Sequence, residues 1–273
     1  MIKANYHTHS VLCDGKNTLR EMVDSACDKG LHILGFSGHA PMNFVSDWAM
    51  DKDRLEKYVN EVKQLKAEYK DKIDILLGIE LDADYDGFDI GDFDFTIGSV
   101  HQFRDGDKDF PIDLSAASLE KTVEEQFGGD WYKMCECYYN KLADFICECK
   151  PDIVGHIDLV TKYNQGYVYF SEEDERYRKI ALRAVDKILD CKSDIIFEVN
   201  TGAMYRVGKT VPYPAPFIME YLKKRNAKIT VTSDSHSVDS LDFAFEKAFD
   251  YCRSFGFEKL TLLTSEGRIC CDL

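Results

Sequence analysis

The amino-acid sequence predicts an α/β barrel of parallel strands. Three observations carry that expectation. Strand-like and helix-like runs alternate along the whole chain, and such alternation builds parallel strands joined by right-handed crossovers. The chain is 273 residues long and 45% hydrophobic, which suits one barrel-sized core and a single domain over residues 1–273. Six of the seven histidines fall at or just after the C-terminal ends of strand candidates, the edge where a barrel gathers its loops into one mouth.

Each element has a local reason. The strand candidates are "ANYHTH", "LHILGFSG", "IDILLGIEL", "FDFTIGSV", "DIVGHI", "DIIFEVN" and "AKITVTSD", with "KLTLL" as an eighth near the end. They are short apolar runs, as expected of strands covered on both faces. Thr18 is placed to cap a helix over 19–29. Residues 53–70 are rich in Lys, Glu, Leu and Ala and free of Gly and Pro, which predicts a helix. Within 131–149, Trp131, Met134, Tyr138, Leu142, Phe145 and Cys149 recur at spacings of three and four, one buried helical face. Residues 172–190, 215–225 and 240–255 also read as helices. Two stretches, 40–52 and 102–130, are rich in Gly, Asp, Pro and polar residues and read as long loops over the mouth.

Composition narrows the function. Formal net charge is −15, so no basic stripe is available to neutralise a nucleic-acid backbone. No apolar run approaches the length of a membrane span, and the "MIKA" start leading into a polar strand reads as the beginning of a cytoplasmic protein without a leader. The ten cysteines form no CxxC pair, and Cys135, Cys137, Cys147 and Cys149 read as reduced packing residues of a helix. Oligomeric state is not encoded in any pattern found.

The histidines and acids then define a chemistry. In an extended strand His7 and His9 point to the same face. His39, His101, His156 and His236 follow the second, fourth, fifth and seventh strand candidates, Glu80 and Asp234 end the third and seventh, and Asp14 sits in the first loop. A single rim histidine is ordinarily just hydrogen-bonded. The convergence of all of these on one edge points instead to metal ions. His32 precedes its strand, on the opposite edge, and reads as an ordinary surface residue. Imidazole and carboxylate without thiolate suit Zn, Mn or Fe. So many donors exceed one catalytic zinc, so two or three divalent ions are expected, with Glu80 able to bridge two of them. Clusters of this kind clamp phosphate esters and lower the pKa of bound water to near 7.

At this point the sequence resembles a known family. "HTHS" with "CDG", "SGHAP", "GIELD", "GSVH", "GHIDL" and "SDSH" look like the successive motifs of the polymerase and histidinol phosphatase (PHP) superfamily, from residue 7 to residue 236. "GHIDLVTKY" and "NTGAMYR" most resemble its stand-alone histidinol-phosphate phosphatases. The resemblance implies a distorted (β/α)7 TIM-like barrel with a trinuclear site at the C-terminal mouth. Carried over by motif, His7, His9, Glu80 and Asp234 would hold one ion, Glu80, His101 and His156 a second, and Asp14, His39 and His236 a third. Arg206 resembles a phosphate-contacting arginine, Lys162 stands where relatives often carry arginine, and Asn200 and Lys209 flank Arg206 as further substrate-binding candidates.

The expected activity is metal-dependent hydrolysis of L-histidinol phosphate in histidine biosynthesis. Glu80, Asp234 and Arg206 are the expected catalytic residues, and Asp234 or an ion-held water would protonate the leaving alkoxide. The acidic rim suits a substrate that is cationic away from its phosphate, with Asp47, Asp105 and Asp107 as candidate readers of that end. A nucleotide phosphatase or 3′–5′ exonuclease is the alternative, and a non-enzymatic metal-binding scaffold a third reading.

Overall fold

The structure is a computed structural model. It describes residues 2–105 and 108–273, residue 105 through its backbone alone. Seven strands, β1 (Ala4–Asn5), β2 (Ile33–Phe36), β3 (Asp74–Asp82), β4 (Phe95–Ser99), β7 (Ile153–Val154), β8 (Ile196–Asn200) and β9 (Lys228–Thr232), form one sheet in the order β1-β2-β3-β4-β7-β8-β9. Between β4 and β7 lie β5 (Gln102–Asp105) and β6 (Lys108–Pro111), which pair with each other as an antiparallel hairpin. Every pairing within the seven-stranded sheet is parallel. The sheet closes on itself beyond the formal strands. Thr8 bridges Ser235, the Ser235 N–H donates to the His7 carbonyl at 2.9 Å, and the His9 N–H donates to the Ser235 carbonyl at 2.8 Å. The barrel is therefore the distorted seven-stranded form, and the closing seam is built by the two histidines and "SDSH".

The crossover helices are α1 (Leu19–Asp28), α2 (Lys52–Glu68), α3 (Ala116–Phe127), α4 (Trp131–Cys149), α5 (Glu175–Cys191), α6 (Gly202–Arg206), α7 (Pro216–Lys224) and α8 (Phe245–Ser254). Thr18 caps α1 as expected, in a reciprocal capping box with Glu21. α4 buries Met134, Tyr138, Leu142 and Phe145 as its spacing predicts, while Trp131 and Cys149 sit at the edge of that face, only half-buried. "KLTLL" forms β10 (Lys259–Thr264). It does not join the barrel; it pairs antiparallel with β11 (Gly267–Asp272), and Tyr6 fastens this hairpin through hydrogen bonds of 2.9 Å to and from the Leu263 backbone.

Two expectations are corrected. The stretch 102–130 is not a plain loop: it folds as the β5–β6 hairpin followed by α3. Ser115 caps α3, Leu119 and Val123 bury its inner face, and Gly128 ends it at φ 60°, so a helical pattern was present inside glycine- and aspartate-rich flanks. The reduced state expected of Cys147 also fails, because Cys147 on α4 is joined to Cys191 on α5 in a disulfide. Cys135 is buried as expected, but Cys137 is exposed. No spacing rule could reveal the Cys147–Cys191 pair, because α4 and α5 become neighbours only when β7 and β8 pair.

Candidate metal centre at the barrel mouth

The strand ends deliver their donors to one point. Glu80, near the end of β3, projects inward with side-chain exposure of 0%. Its Oε2 lies 3.0 Å from His39 Nδ1, 3.2 Å from His7 Nε2 and 3.6 Å from His9 Nε2. Its Oε1 lies 3.5 Å from His101 Nε2 and 3.4 Å from His156 Nε2. Across the mouth, Asp234 Oδ1 stands 3.6 Å from His7 Nε2, 3.4 Å from His9 Nε2 and 3.6 Å from His236 Nδ1. Asp14 faces a further set: Oδ1 is 3.6 Å from His9 Nδ1 and 3.7 Å from His39 Nε2, and Oδ2 is 3.1 Å from His236 Nε2.

This arrangement fits divalent metal ions. Donors bonded at about 2.1 Å around one ion stand roughly 3.0–3.5 Å from each other, close to the separations seen here. His7 Nε2, His9 Nε2 and both Glu80 oxygens are buried without a hydrogen-bond partner among the described residues, a costly state that a cation among them relieves. His101 Nε2 and His156 Nε2 face each other at 3.3 Å, and Asp82 accepts a hydrogen bond from His101 Nδ1–H at 3.0 Å, which leaves a lone pair on the neutral ring's Nε2. Four donor groups can be drawn: His9, Asp14, His39 and His236; His7, Glu80 and His156; His7, His9 and Asp234; His39, Glu80 and His101. The nine expected ligands all converge. The grouping differs in that His9 also faces Asp14, and His39 reaches both Asp14 and Glu80 through its two ring nitrogens. His32 lies at the opposite barrel end, accepting from the Lys3 N–H, beside a separate cavity of about 640 Å³.

Two orienting carboxylates escaped the sequence reading. Glu198, inside β8, accepts from His7 Nδ1 and Thr232 Oγ1 on one oxygen, at 2.9 and 2.8 Å, and from Asn200 Nδ2 at 2.8 Å and the His156 N–H on the other. Asp82 accepts from both the N–H and the Nδ1 of His101, at 2.9 and 3.0 Å. Each fixes a histidine tautomer so that Nε2 is free to ligate. The signal for Glu198 was available: a charge in the middle of a fully covered parallel strand must have built-in partners.

The electrostatics are those of a mutually neutralising cluster. Burial works against ionised Glu80, yet His7, His39 and His101 outweigh it and hold the carboxyl well below its usual range. Burial likewise opposes the Asp234 charge, but Arg206, His7 and His9 hold it well below. Burial and the neighbouring His236 and His39 push His9 down to about 3, so it is a neutral donor. For His7, burial disfavours the cation, and Glu80, Glu198 and Asp234 together override it and raise its pKa.

The basic residues divide. Arg206 clamps Asp234, donating from Nη2 to Oδ2 and from Nη1 to the carbonyl, both at 2.6 Å. Asp234 sits at φ 48°, a left-handed state that costs a non-glycine residue about 1–3 kcal/mol and is kept here by that clamp and the seam. A Cβ at Gly202 would stand 2.9 Å from Arg206 Nη2 and 3.0 Å from the Asp234 Cβ, so the clamp closes over a glycine. Lys162 is not a solvated lysine; its Nζ is held by the Asp113 carbonyl at 2.7 Å and carboxylate at 3.1 Å. Lys209 donates to Thr161 Oγ1 at 2.9 Å and lies 4.6 Å from the Tyr213 ring centre, and burial lowers its pKa. Asn200 is corrected as a substrate contact: fully buried, it donates to Glu198 and accepts from the Gly202 N–H at 2.7 Å.

Beside the cluster, a cavity of about 570 Å³ is lined by Asp14, His39, Asp47, Trp48, His101, Gln102, Asp109, Pro111, Asp113 and Leu114. Its walls are the 40–52 loop and the β5–β6 hairpin with the segment that follows it. Arg104 ties the two, donating to Asn43 Oδ1 at 3.0 Å and covering the Phe44 ring at 4.1 Å. Of the rim acids expected to read substrate, Asp47 lines this cavity. The Asp105 side chain and Asp107 lie outside the described residues.

A parallel barrel with imidazoles and carboxylates converging at its C-terminal mouth defines a metal-binding α/β barrel protein. The chain belongs to the PHP domain family, whose model matches residues 5–202. It is 26% identical over 276 residues to a histidinol-phosphatase of Bacillus subtilis, covering 92% of this chain and 100% of that protein. The fold is similar to that of a candidate histidinol phosphatase from Listeria monocytogenes, at TM-score 0.72 and 22% identity over 90% of this chain and 99% of that one. It is also similar to a histidinol phosphate phosphatase from Lactococcus lactis solved with zinc, L-histidinol and phosphate, at TM-score 0.65 and 24% identity over 98% of each chain.

Proposed function

We propose that this chain is a metal-dependent phosphomonoesterase that converts L-histidinol phosphate to L-histidinol and phosphate as a cytoplasmic step of histidine biosynthesis, acting as one domain over residues 1–273. The observation that carries the proposal is the set of buried, unpartnered His7, His9 and Glu80 atoms facing Asp234, Asp14 and four further imidazoles. The names of the relatives, and the histidinol and phosphate bound by the Lactococcus protein, support the substrate.

His7, His9, Asp14, His39, Glu80, His101, His156, Asp234 and His236 would hold two or three ions of Zn, Mn or Fe. When bound, such ions supply an activated water and neutralise charge developing on a phosphoryl group. The chain's own residues do the rest. Glu80 presents one oxygen to each half of the cluster. Glu198 and Asp82 hold His7 and His101 in the ligating tautomer. Arg206 holds Asp234 in place and stays charged; its Nε–H makes no bond within the described residues, which leaves it for a phosphate oxygen. Asp234, held ionised by that clamp, serves as a ligand and not as the proton donor expected from the sequence.

Phosphate release from L-histidinol phosphate, p-nitrophenyl phosphate and a nucleoside monophosphate, and nucleotide release from single-stranded DNA, together with elemental analysis, test the proposal. The expected result is a clear kcat/KM preference for L-histidinol phosphate and bound divalent metal. A higher kcat/KM on the nucleotide or on DNA would move the chain to the alternative class. The acidic cavity, lined by four aspartates and by neither Lys nor Arg, favours the first outcome.

A further inference from the structure

The mouth cavity must recognise whatever the phosphate is attached to. Its chemistry is unusual for a protein that binds a phosphate ester. Four carboxylates line it, and the histidines on its floor face the metal cluster. These acids are not equivalent. Asp109 is spent on Arg104 at 2.7 Å, and Asp113 on Lys162. Asp14 faces the cluster. Asp47 is exposed and has no ion-pair partner among the described residues.

A second observation is independent of charge. Gln102 is 4% exposed, lines the same cavity, and its Nε2 has no hydrogen-bond partner among the described residues. A buried amide donor without a partner is costly, and an acceptor brought by a ligand or a water relieves it. A third is geometric. Trp48 stands on the cavity wall with its ring centre 4.8 Å from that of His39 and 5.9 Å from that of His101. It lines the cavity beside two of the candidate ligands. An aromatic wall, a buried amide donor and an unpaired carboxylate together fit a planar, nitrogen-bearing heterocycle that also carries a positive charge.

We propose that Trp48, Gln102 and Asp47 form the specificity subsite for the non-phosphate half of the substrate: Trp48 stacks on the imidazole, the Gln102 amide donates to its acceptor nitrogen, and Asp47 pairs with the ammonium. This rests on the function proposed above and names the residues that make the enzyme selective. It also gives the 40–52 loop and the β5–β6 hairpin a purpose, since one supplies Trp48 and Asp47 and the other supplies Gln102.

The test compares two phosphomonoesters, L-histidinol phosphate and p-nitrophenyl phosphate, in the metal-loaded wild type and in Asp47→Asn, Trp48→Leu and Gln102→Met. Asp47 is exposed, so its variant folds with the wild type; circular dichroism and metal content verify the other two. Each variant is expected to lose at least about fivefold more kcat/KM on the histidinol ester than on the p-nitrophenyl ester, mostly through KM. L-Histidinol, as a competitive inhibitor of p-nitrophenyl phosphate hydrolysis, is expected to weaken by the same factor. Equal losses on both esters, or none in Asp47→Asn and Trp48→Leu, overturn the subsite while the wild-type preference still stands. A wild type without that preference overturns the functional reading itself, which separates the two failures.

Discussion

Replacing Glu198 by Gln tests the site through a residue that touches no substrate. The carboxylate accepts four hydrogen bonds, two per oxygen. A glutamine must put its NH₂ on one side. The Asn200 side faces the backbone N–H of His156, which cannot reverse, so the carbonyl stays there. The NH₂ then faces His7 Nδ1 and Thr232 Oγ1. Thr232 can turn its hydroxyl to accept. His7 can accept only by moving its proton to Nε2, the nitrogen that faces Glu80 and Asp234. The substitution thus turns a proposed metal ligand into a proton donor pointing at Glu80 and Asp234. Loss of such an orienting partner costs about 10–100-fold in metal affinity or activity. The lost charge-assisted bond alone destabilises the chelated protein by about 1.5–3 kcal/mol. Zinc affinity against a competing chelator, kcat/KM at saturating metal, and urea unfolding of the chelated protein measure the three effects. If Glu198→Gln keeps wild-type zinc affinity and kcat/KM while losing stability, Glu198 is a fold residue and the tautomer reasoning is refuted.

Further outcomes follow from the same geometry. Chelation should abolish activity and lower Tm, because metal held only by the folded state stabilises it by mass action; a Tm unchanged by chelator would count against the centre. Glu80→Gln should lose metal and nearly all turnover, whereas His32→Gln, at the other barrel end, should keep both. Arg206→Ala should cost about 2–4 kcal/mol in kcat/KM on every phosphomonoester and lower metal content as well, since Asp234 loses its clamp. The pH dependence of the chelated protein has a worked sign. The carboxyls of Asp14, Glu80, Glu198 and Asp234 are held below their unfolded values of 3.8 to 4.5, so the stability they confer is complete above that range and lost as pH falls through it. His7 and His39 are raised above 6.5, so their contribution is complete below that value and lost as pH rises. His9, held down to about 3, opposes them by costing stability as pH falls below 6.5, but the raised histidines outnumber it, so chelated protein should be most stable in the weakly acidic window between, and metal should move the optimum upward by competing with protons; Tm against pH with and without zinc reads both.

The sequence by itself determined the barrel, the edge where the imidazoles and carboxylates gather, and the nine residues that converge there as candidate ligands. Strand alternation and the punctuation of each strand by His, Glu or Asp are local patterns, and parallel topology converts "end of strand" into "same place". It also separated His32 from the others, because position before or after a strand is readable from order alone. Tertiary structure decided what depends on which elements become neighbours. Glu198 orients His7 only because closure of the β9 end onto β1 brings the segment after β1 within reach of β8, and Asn200 turned inward because Glu198 needed a donor. Arg206 reached Asp234 because α6, which follows β8, passes close to Asp234 at Gly202. Cys147 met Cys191 because α4 and α5 pack side by side, and Trp48 joined Gln102 because a loop docks on a hairpin through Arg104. In each case the ligand is set by chain order, whereas its partner is set by a contact between segments distant in sequence, and no local spacing encodes such a contact.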